Sequence, residues 1–365
     1  MGFYHALTDA GMLQGHSFLW FELSHIDLFV ALLLGMVAYA VVLERRVASF
    51  IQDRVGPNRA GPLGLFQPAC DGLKAFLKED LVPDFVHKFF YWLAPFLVLT
   101  PALLTVAVIP FGSNIGNQKM VIADLNIGLL YTFAVVSISV YGFMLAGYAS
   151  RSKYPMIGGM RASAQMISYE GAMGLAIVPV FMLAGSANLG DIIMWQSKVP
   201  FCWGIVQAPL SALIFFIATL AEANRTPFDL VEAEQELAGG YNVEYGGMKF
   251  AVFFMGEYTS VIVGSAMFTT LFLGGWSLPL PWLCAPAAAT CGGFLVGLIH
   301  IGVFLAKTVC VVFLIVWVRW MLPRFRFDQL MDFGWRKMIP LALANIACYA
   351  VVLWGIALVK VFCEE

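Results

Sequence analysis

Eight runs of about 20 apolar residues divide this chain, and a water-soluble fold has no room to bury them all. They are Ile26–Leu43, Phe89–Phe111, Asn126–Ser150, Gly171–Asn188, Val199–Ala221, Phe250–Trp276, Ala285–Val318 and Met338–Val359, each nearly free of charge. A bilayer core takes about 20 residues per helix, and only helices or closed barrels satisfy every backbone polar group there. The chain therefore reads as an all-α, polytopic membrane helical bundle with about eight transmembrane helices. Pro95, Pro101, Pro179 and Pro209 predict kinked spans, and the length of the seventh run predicts tilt. Composition agrees. The 365 residues are 61% hydrophobic and 12% charged, about half the usual charge of soluble domains. A soluble enzyme, a disordered chain and a coiled coil are excluded on that ground. With 21 Lys and Arg against 23 Asp and Glu, there is also no basic field for nucleic acid.

Seventeen of the 21 Lys and Arg follow spans one, three, five and seven. The positive-inside rule then puts four loops inside, at 44–88, 151–170, 222–249 and 319–337, and both termini outside. Residues 1–365 read as one integral membrane domain, without repeats. The seven cysteines form no CxxC pair and read as small buried hydrophobes. The five histidines show no HExxH spacing, and neither GxGxxG nor GxxxxGK[ST] occurs. No FMN, NADH, iron–sulfur or metal site is expected on this chain.

The polar residues gather on the inside. Loop 44–88 interleaves seven bases with Glu44, Asp53, Asp71, Glu79, Asp80 and Asp84, on backbone stiffened by Gly-Pro turns. Within it, Ala69, Leu73, Phe76 and Leu77 share one helical face, which predicts a short amphipathic helix at the membrane interface. Mixed signs on a stiff loop suit a docking surface or a polar cavity wall. Glu170 is predicted at the mouth of span four. In loop 222–249, Thr226 and Asp229 are spaced to cap a helix starting at Pro227, which Gly239-Gly240 would end. Asp229, Glu232 and Glu236 then share a face, Glu234 points elsewhere, and Glu222 and Glu244 flank the helix. A helix dipole accounts for acids in its first turn, but not for so many like charges. Packed under protein, some of these loop carboxyls would be pushed up towards neutrality. Deeper still lie Glu257, His300 and Lys307. A charge at the centre of a membrane helix costs about 2.5–3.5 kcal/mol, so Glu257 and Lys307 read as members of a polar path. His300 reads equally well as a neutral helix contact.

Several long motifs carry a resemblance. They are ERR…QDRVGPNRAGPLGLFQ, LKAFLKE, SKYPMIGGMRASAQMISYE, AEANRTPFDLVEAEQELAGGYNVEYGGMKFAVFFMGEY and PRFRFDQLMDFGWRKMIPL. From span one to span eight the chain resembles the quinone-tunnel membrane subunit of respiratory complex I, known as the H-type subunit in bacteria and as NADH dehydrogenase subunit 1 in mitochondria. The resemblance implies a subunit of a proton-pumping NADH:quinone oxidoreductase that joins the hydrophilic arm to the membrane arm, with no complete redox site of its own. It implies quinone as substrate, bound together with neighbouring subunits, and other complex I subunits and membrane lipid as partners. Arg45, Arg46, Arg54, Asp71, Lys74, Arg319 and Arg324 fall on tunnel or arm-interface positions. Glu170, Glu222, Asp229, Glu232, Glu234, Glu236, Glu244 and Glu257 fall on an acidic proton relay, with Arg225 and Lys307 as its basic members. The implied location is a multi-pass position in the bacterial cytoplasmic membrane, ahead of the mitochondrial inner membrane. Two departures are Gly171, expected to loosen the start of span four, and Phe327, where the family usually has tyrosine.

Two other readings fit parts of the pattern. A related subunit anchors membrane-bound hydrogenases and formate-oxidising complexes without binding quinone; the full first loop and the dense acidic motif argue against it. An independent ion or proton transporter would also use intramembrane Glu and Lys, but such proteins usually show internal repeats.

Overall fold

The computed structural model describes residues 16–115, 118–197, 203–231, 239–278 and 294–364. Helix dominates throughout. α1 is His16–Ile51, α2 Gln67–Leu77, α3 Lys88–Val106, α4 Gly128–Ala149, α5 Lys153–Ala184 and α6 Leu189–Ser197. The chain continues through α7 (Gly204–Gln207), α8 (Pro209–Glu222), α9 (Gly247–Phe272), α10 (Phe294–Met321), α11 (Phe327–Asp332) and α12 (Ile339–Glu364). A small antiparallel hairpin, β1 (Gly112–Ile115) with β2 (Gln118–Met120), follows α3. Among the described residues, six helical segments are long and apolar enough to cross a membrane. The protein is a multi-pass helical membrane protein, as the apolar runs predict.

Every predicted span contains a helix, but the boundaries move. α1 continues to Ile51, so Glu44, Arg45 and Arg46 ride on a helix and not on a loop. α5 starts at Lys153, turning most of the expected second inside loop into its first half. Gly171 sits in the middle of that helix, which runs on unbroken, so no loosened start exists there. α8 has 14 residues, about 21 Å at ~1.5 Å per residue, and falls short of a ~30 Å core. Pro209 opens it, whereas Pro95, Pro101 and Pro179 lie inside α3 and α5. The helix expected from Pro227 is absent through Val231. Thr226 does not cap; its hydroxyl donates to the Arg319 carbonyl at 2.8 Å. Cys70, Cys310 and Cys348 are exposed, contrary to the buried reading.

The amphipathic helix appears as α2, with Leu73, Phe76 and Leu77 exposed. The centre of the bundle is α9, packed against α1, α2, α3, α8 and α10. α4 and α5 meet at glycines: a Cβ on Gly147 would stand 2.5 Å from the Pro155 carbonyl oxygen, the small-residue approach usual between membrane helices. Gly158 does the same for the 240–242 turn, since a Cβ there would lie 2.8 Å from the Tyr241 nitrogen. That contact seats the Tyr241 ring on Phe143 and Phe253.

Candidate functional site

Two compartments lie on either side of α9. The first is an open cleft of about 480 Å³, lined by Val41, Glu44, Arg45, Arg54, Phe254 and Trp320 among others. Its back wall is a buried charge cluster. Glu44, only 8% exposed, forms an ion pair with Arg319 and accepts a 2.7 Å hydrogen bond from the Tyr258 hydroxyl. The Arg225 guanidinium lies over the Tyr258 ring, 4.2 Å from its centroid. A buried carboxylate is costly unless paired and hydrogen-bonded, and Glu44 has both. At the rim, Arg45 bonds Asp71 at 2.7 Å, and Gln67 donates to the other Asp71 oxygen at 3.0 Å. The Arg45–Asp71 bond tethers α2 to α1 beside the opening, and Gln67, one turn earlier on α2, holds the Asp71 carboxylate in place.

The second compartment is a smaller, more enclosed cavity of about 30 Å³, large enough for a water molecule. Glu222 from the end of α8 and Glu257 from α9 both line it, with Ser139, Asn224 and Ser260. The Tyr241 hydroxyl donates to Glu257 at 2.7 Å. Glu170, half-buried on α5, lies within electrostatic reach of Glu222. Consecutive residues of α9 thus face different compartments: Tyr258 the cleft, Glu257 the cavity.

The chain from Glu222 to Val231 joins them. Gln165 of α5 donates to the Ala221 and Phe228 carbonyls, both at 2.8 Å, and to Asn224 at 3.3 Å. Asp229 is bonded by Arg324 at 2.8 Å. Burial pushes the Asp229 carboxyl above the usual aspartate range, while the charges of Arg324, Arg319 and Arg225 pull it back. Its second oxygen is buried with no hydrogen-bond partner among the described residues, as are Gln165 Oε1, Ser168 Oγ and Asn224 Nδ2.

The structure brings together Arg45, Arg54, Asp71, Arg225 and Arg319 around the cleft, and Glu170, Glu222 and Glu257 around the cavity. Arg324 and Asp229 pair beside them. Arg46 is half-buried near Ser49, and Lys74 is exposed on α2. Glu244 is half-buried; its carbonyl accepts from the Tyr91 hydroxyl at 2.8 Å. Glu232, Glu234 and Glu236 lie outside the described residues. Lys307 stands apart, bonded to carbonyls beyond the C-terminus of α9. His300 pairs with Ser113 at 2.6 Å, the bland contact that was one of its two readings. At Phe327 the ring takes the Arg161 guanidinium at 5.5 Å, a contact that needs no hydroxyl.

Sequence reasoning missed Glu44, Tyr258 and Lys249 as site residues. Glu44 read as one of many loop charges, and Tyr258 as an aromatic in an apolar span. Lys249 read only as a topology charge, yet it is 5% exposed, bonded to Asp80 at 2.8 Å and held over Trp92 at 3.8 Å. Its position at the start of a span was the available signal. Among the described residues no cluster of His, Cys, Asp and Glu could hold a metal ion.

The fold and these compartments define a class: a helical membrane protein in which ionisable groups gather around two compartments flanking one central helix. Residues 25–350 match the family described as NADH dehydrogenase. The chain is 45% identical to "NADH-quinone oxidoreductase subunit 8" of Rhodothermus marinus, over 91% of this chain and 96% of that protein. It is 47% identical to an H-type NADH-quinone oxidoreductase subunit of Geobacter metallireducens over 89% and 94%, and 44% identical to the H-type subunit of Salinibacter ruber over 93% and 98%. The chain belongs to the NADH dehydrogenase family of H-type subunits, and is a membrane subunit of the NADH-quinone oxidoreductase complex.

Proposed function

We propose that this subunit admits quinone from the bilayer through the cleft between α1, α9 and α10, and links its reduction to proton movement through the acidic cavity. The observation that carries the reading is the pair Glu257–Tyr258. Adjacent residues of one central helix join a small carboxylate-lined cavity to an open cleft walled by Glu44, Arg225 and Arg319. A quinone headgroup needs hydrogen-bond donors and a nearby proton source, and its tail needs an apolar wall. Arg45 and Arg54 supply donors at the rim, and Val41, Phe254 and Trp320 supply the wall.

Reduction is carried out by electrons arriving from other subunits of the complex. The resulting change in charge acts on Glu44, Arg319 and Tyr258, and through Arg225 on the irregular segment that follows Glu222. Glu222, Glu257 and Glu170 then take up or release protons, and the carboxyls at 229–244 connect the cavity to the inside surface. In this reading the loops at 44–88, 222–249 and 319–337, together with the inner end of α5, dock the hydrophilic arm. The small membrane subunits and lipid cover the remaining faces. Both termini lie on the outer side of a bacterial cytoplasmic membrane.

Asp229→Asn and Glu234→Gln are expected to leave the complex assembled and to depress coupled quinone reduction. Wild-type turnover and pumping in both would remove the relay. A photoreactive quinone is expected to label the cleft wall near Arg54 or Trp320; labelling confined to other surfaces would remove the tunnel.

A further inference from the structure

The C-terminal end of α9 is held by side chains from its neighbours. Gln196 of α6 donates to the Thr270 and Leu271 carbonyls at 3.0 and 3.1 Å, and its oxygen accepts from the Gly204 amide at 2.9 Å. Beyond the helix, Gly274 and Gly275 adopt left-handed φ values of +72° and +53°. The turn they make aims three carbonyls at one point. Lys307 Nζ of α10 occupies it, at 2.7 Å from the Leu273 oxygen, 3.0 Å from Gly275 and 2.6 Å from Ser277. The Trp203 ring covers the same ammonium at 4.6 Å.

An ammonium has three donors and no acceptor, and here three carbonyls receive them. The negative end of the α9 dipole adds to the attraction. A neutral amine would leave one of these buried carbonyls without its donor, so the geometry fits an ammonium that keeps its proton. The site is also remote from Glu257 and its cavity. Leu273 follows Glu257 by 16 residues, about 24 Å of helix at ~1.5 Å per residue.

We propose that Lys307 is a positioning residue and not a proton carrier: its fixed charge clamps the C-terminal end of α9 and so sets the depth at which Glu257 and Tyr258 face their two compartments. Lys249, held by Asp80 and Trp92, secures the other end of the same helix. The inference rests on the proposed role of those compartments, but its test separates the two.

The test compares Lys307→Arg with Lys307→Met in the whole complex in sealed membrane vesicles, reading quinone-reductase turnover, protons pumped per quinone, and hydrogen exchange of the amides at 273–277. A guanidinium keeps charge and donors but does not release a proton near neutrality. Lys307→Arg is therefore expected to retain most turnover and an unchanged proton ratio. Lys307→Met is expected to lose turnover several-fold and to expose the 273–277 amides, or to fail to assemble while the Arg complex works. An assembled Lys307→Arg complex that has lost pumping overturns the proposal, because that is the behaviour of a proton carrier. So does a Lys307→Met complex with wild-type turnover or wild-type exchange at 273–277. The Glu222→Gln and Glu257→Gln variants, which test the cavity itself, leave this Arg-against-Met comparison intact.

Discussion

The cleft and the cavity use opposite electrostatic designs within one helix diameter of each other. In the cleft three carboxylates that line or border it each have a cation against them: Glu44 with Arg319, Asp71 with Arg45, and nearby Asp229 with Arg324. In the cavity two carboxyls share one small space, among hydroxyl and amide groups that include Tyr241, Ser139, Ser260 and Asn224. Opposite charges in contact favour the charged form of each partner, whereas like carboxyls in one enclosure favour sharing a proton. The first arrangement is built to keep a shape and a field. In the proposed reading, the second is where protonation changes.

The comparison breaks most visibly at Arg319. Arg319→Met leaves Glu44 buried beside Tyr258 without its cation, a loss of about 3 kcal/mol for a buried pair that loses one partner. The expected result is a complex that dissociates or inactivates at clearly lower temperature. Adding Glu44→Gln removes the orphaned charge and is expected to restore most of the loss. No recovery in the double variant would mean that the pair is not the unit described. Next in size is Glu257→Gln, which keeps the shape of the cavity and removes its exchangeable proton. Coupled turnover is expected to drop at least ~10-fold, in keeping with the ~10²–10⁴-fold that positioned acids and bases contribute. Tyr241→Phe removes one donor to Glu257 and is expected to cost about 1 kcal/mol, read as a roughly fivefold fall in turnover with quinone affinity unchanged. If Tyr241→Phe matched Glu257→Gln, the hydroxyl itself would be in the proton path.

Most of the fold was legible because hydropathy marks where lipid is. What hydropathy does not mark is where a helix ends, since a helix satisfies its own backbone and can leave the bilayer at no cost. That is why α1 runs eight residues past the last expected position, from Leu43 to Ile51, and why α5 begins with the polar turn at Lys153. The helix expected from Pro227 failed for another reason. Its Thr-Pro-x-Asp signature is local, but Thr226 and Asp229 are bonded to Arg319 and Arg324, about a quarter of the chain away. Many acids and bases of the candidate site were legible because a charge is conspicuous in so apolar a chain, though Glu44 passed as one of many loop charges and Lys249 as a topology charge. Their pairing was not: Glu44 and Tyr258 are separated by 214 residues, and no spacing rule reaches that far. Lys307 is conspicuous for its cost alone, and its place in the structure depends on the folded turn at Gly274-Gly275, which gathers the three carbonyls that receive it.

The mildest test falls on the rim. Arg45 and Asp71 are 45% and 39% exposed at their side chains, so water and salt screen the pair, and such pairs contribute about 0–1 kcal/mol. Arg45→Ala is therefore expected to leave assembly and thermal stability unchanged within ~0.5 kcal/mol. The pair does, however, tie α2 to α1 at the mouth of the cleft, with Gln67 on the second Asp71 oxygen. A tether at an opening acts on access, so the effect belongs in the apparent KM for quinone and not in maximal turnover. Arg45→Ala should raise that KM about two- to threefold, less at high ionic strength where the wild-type pair is itself screened. An equal loss of turnover at saturating quinone would instead place Arg45 with the buried cluster, and the proposed division between a charge-paired cleft and a proton-exchanging cavity would have to be redrawn around it.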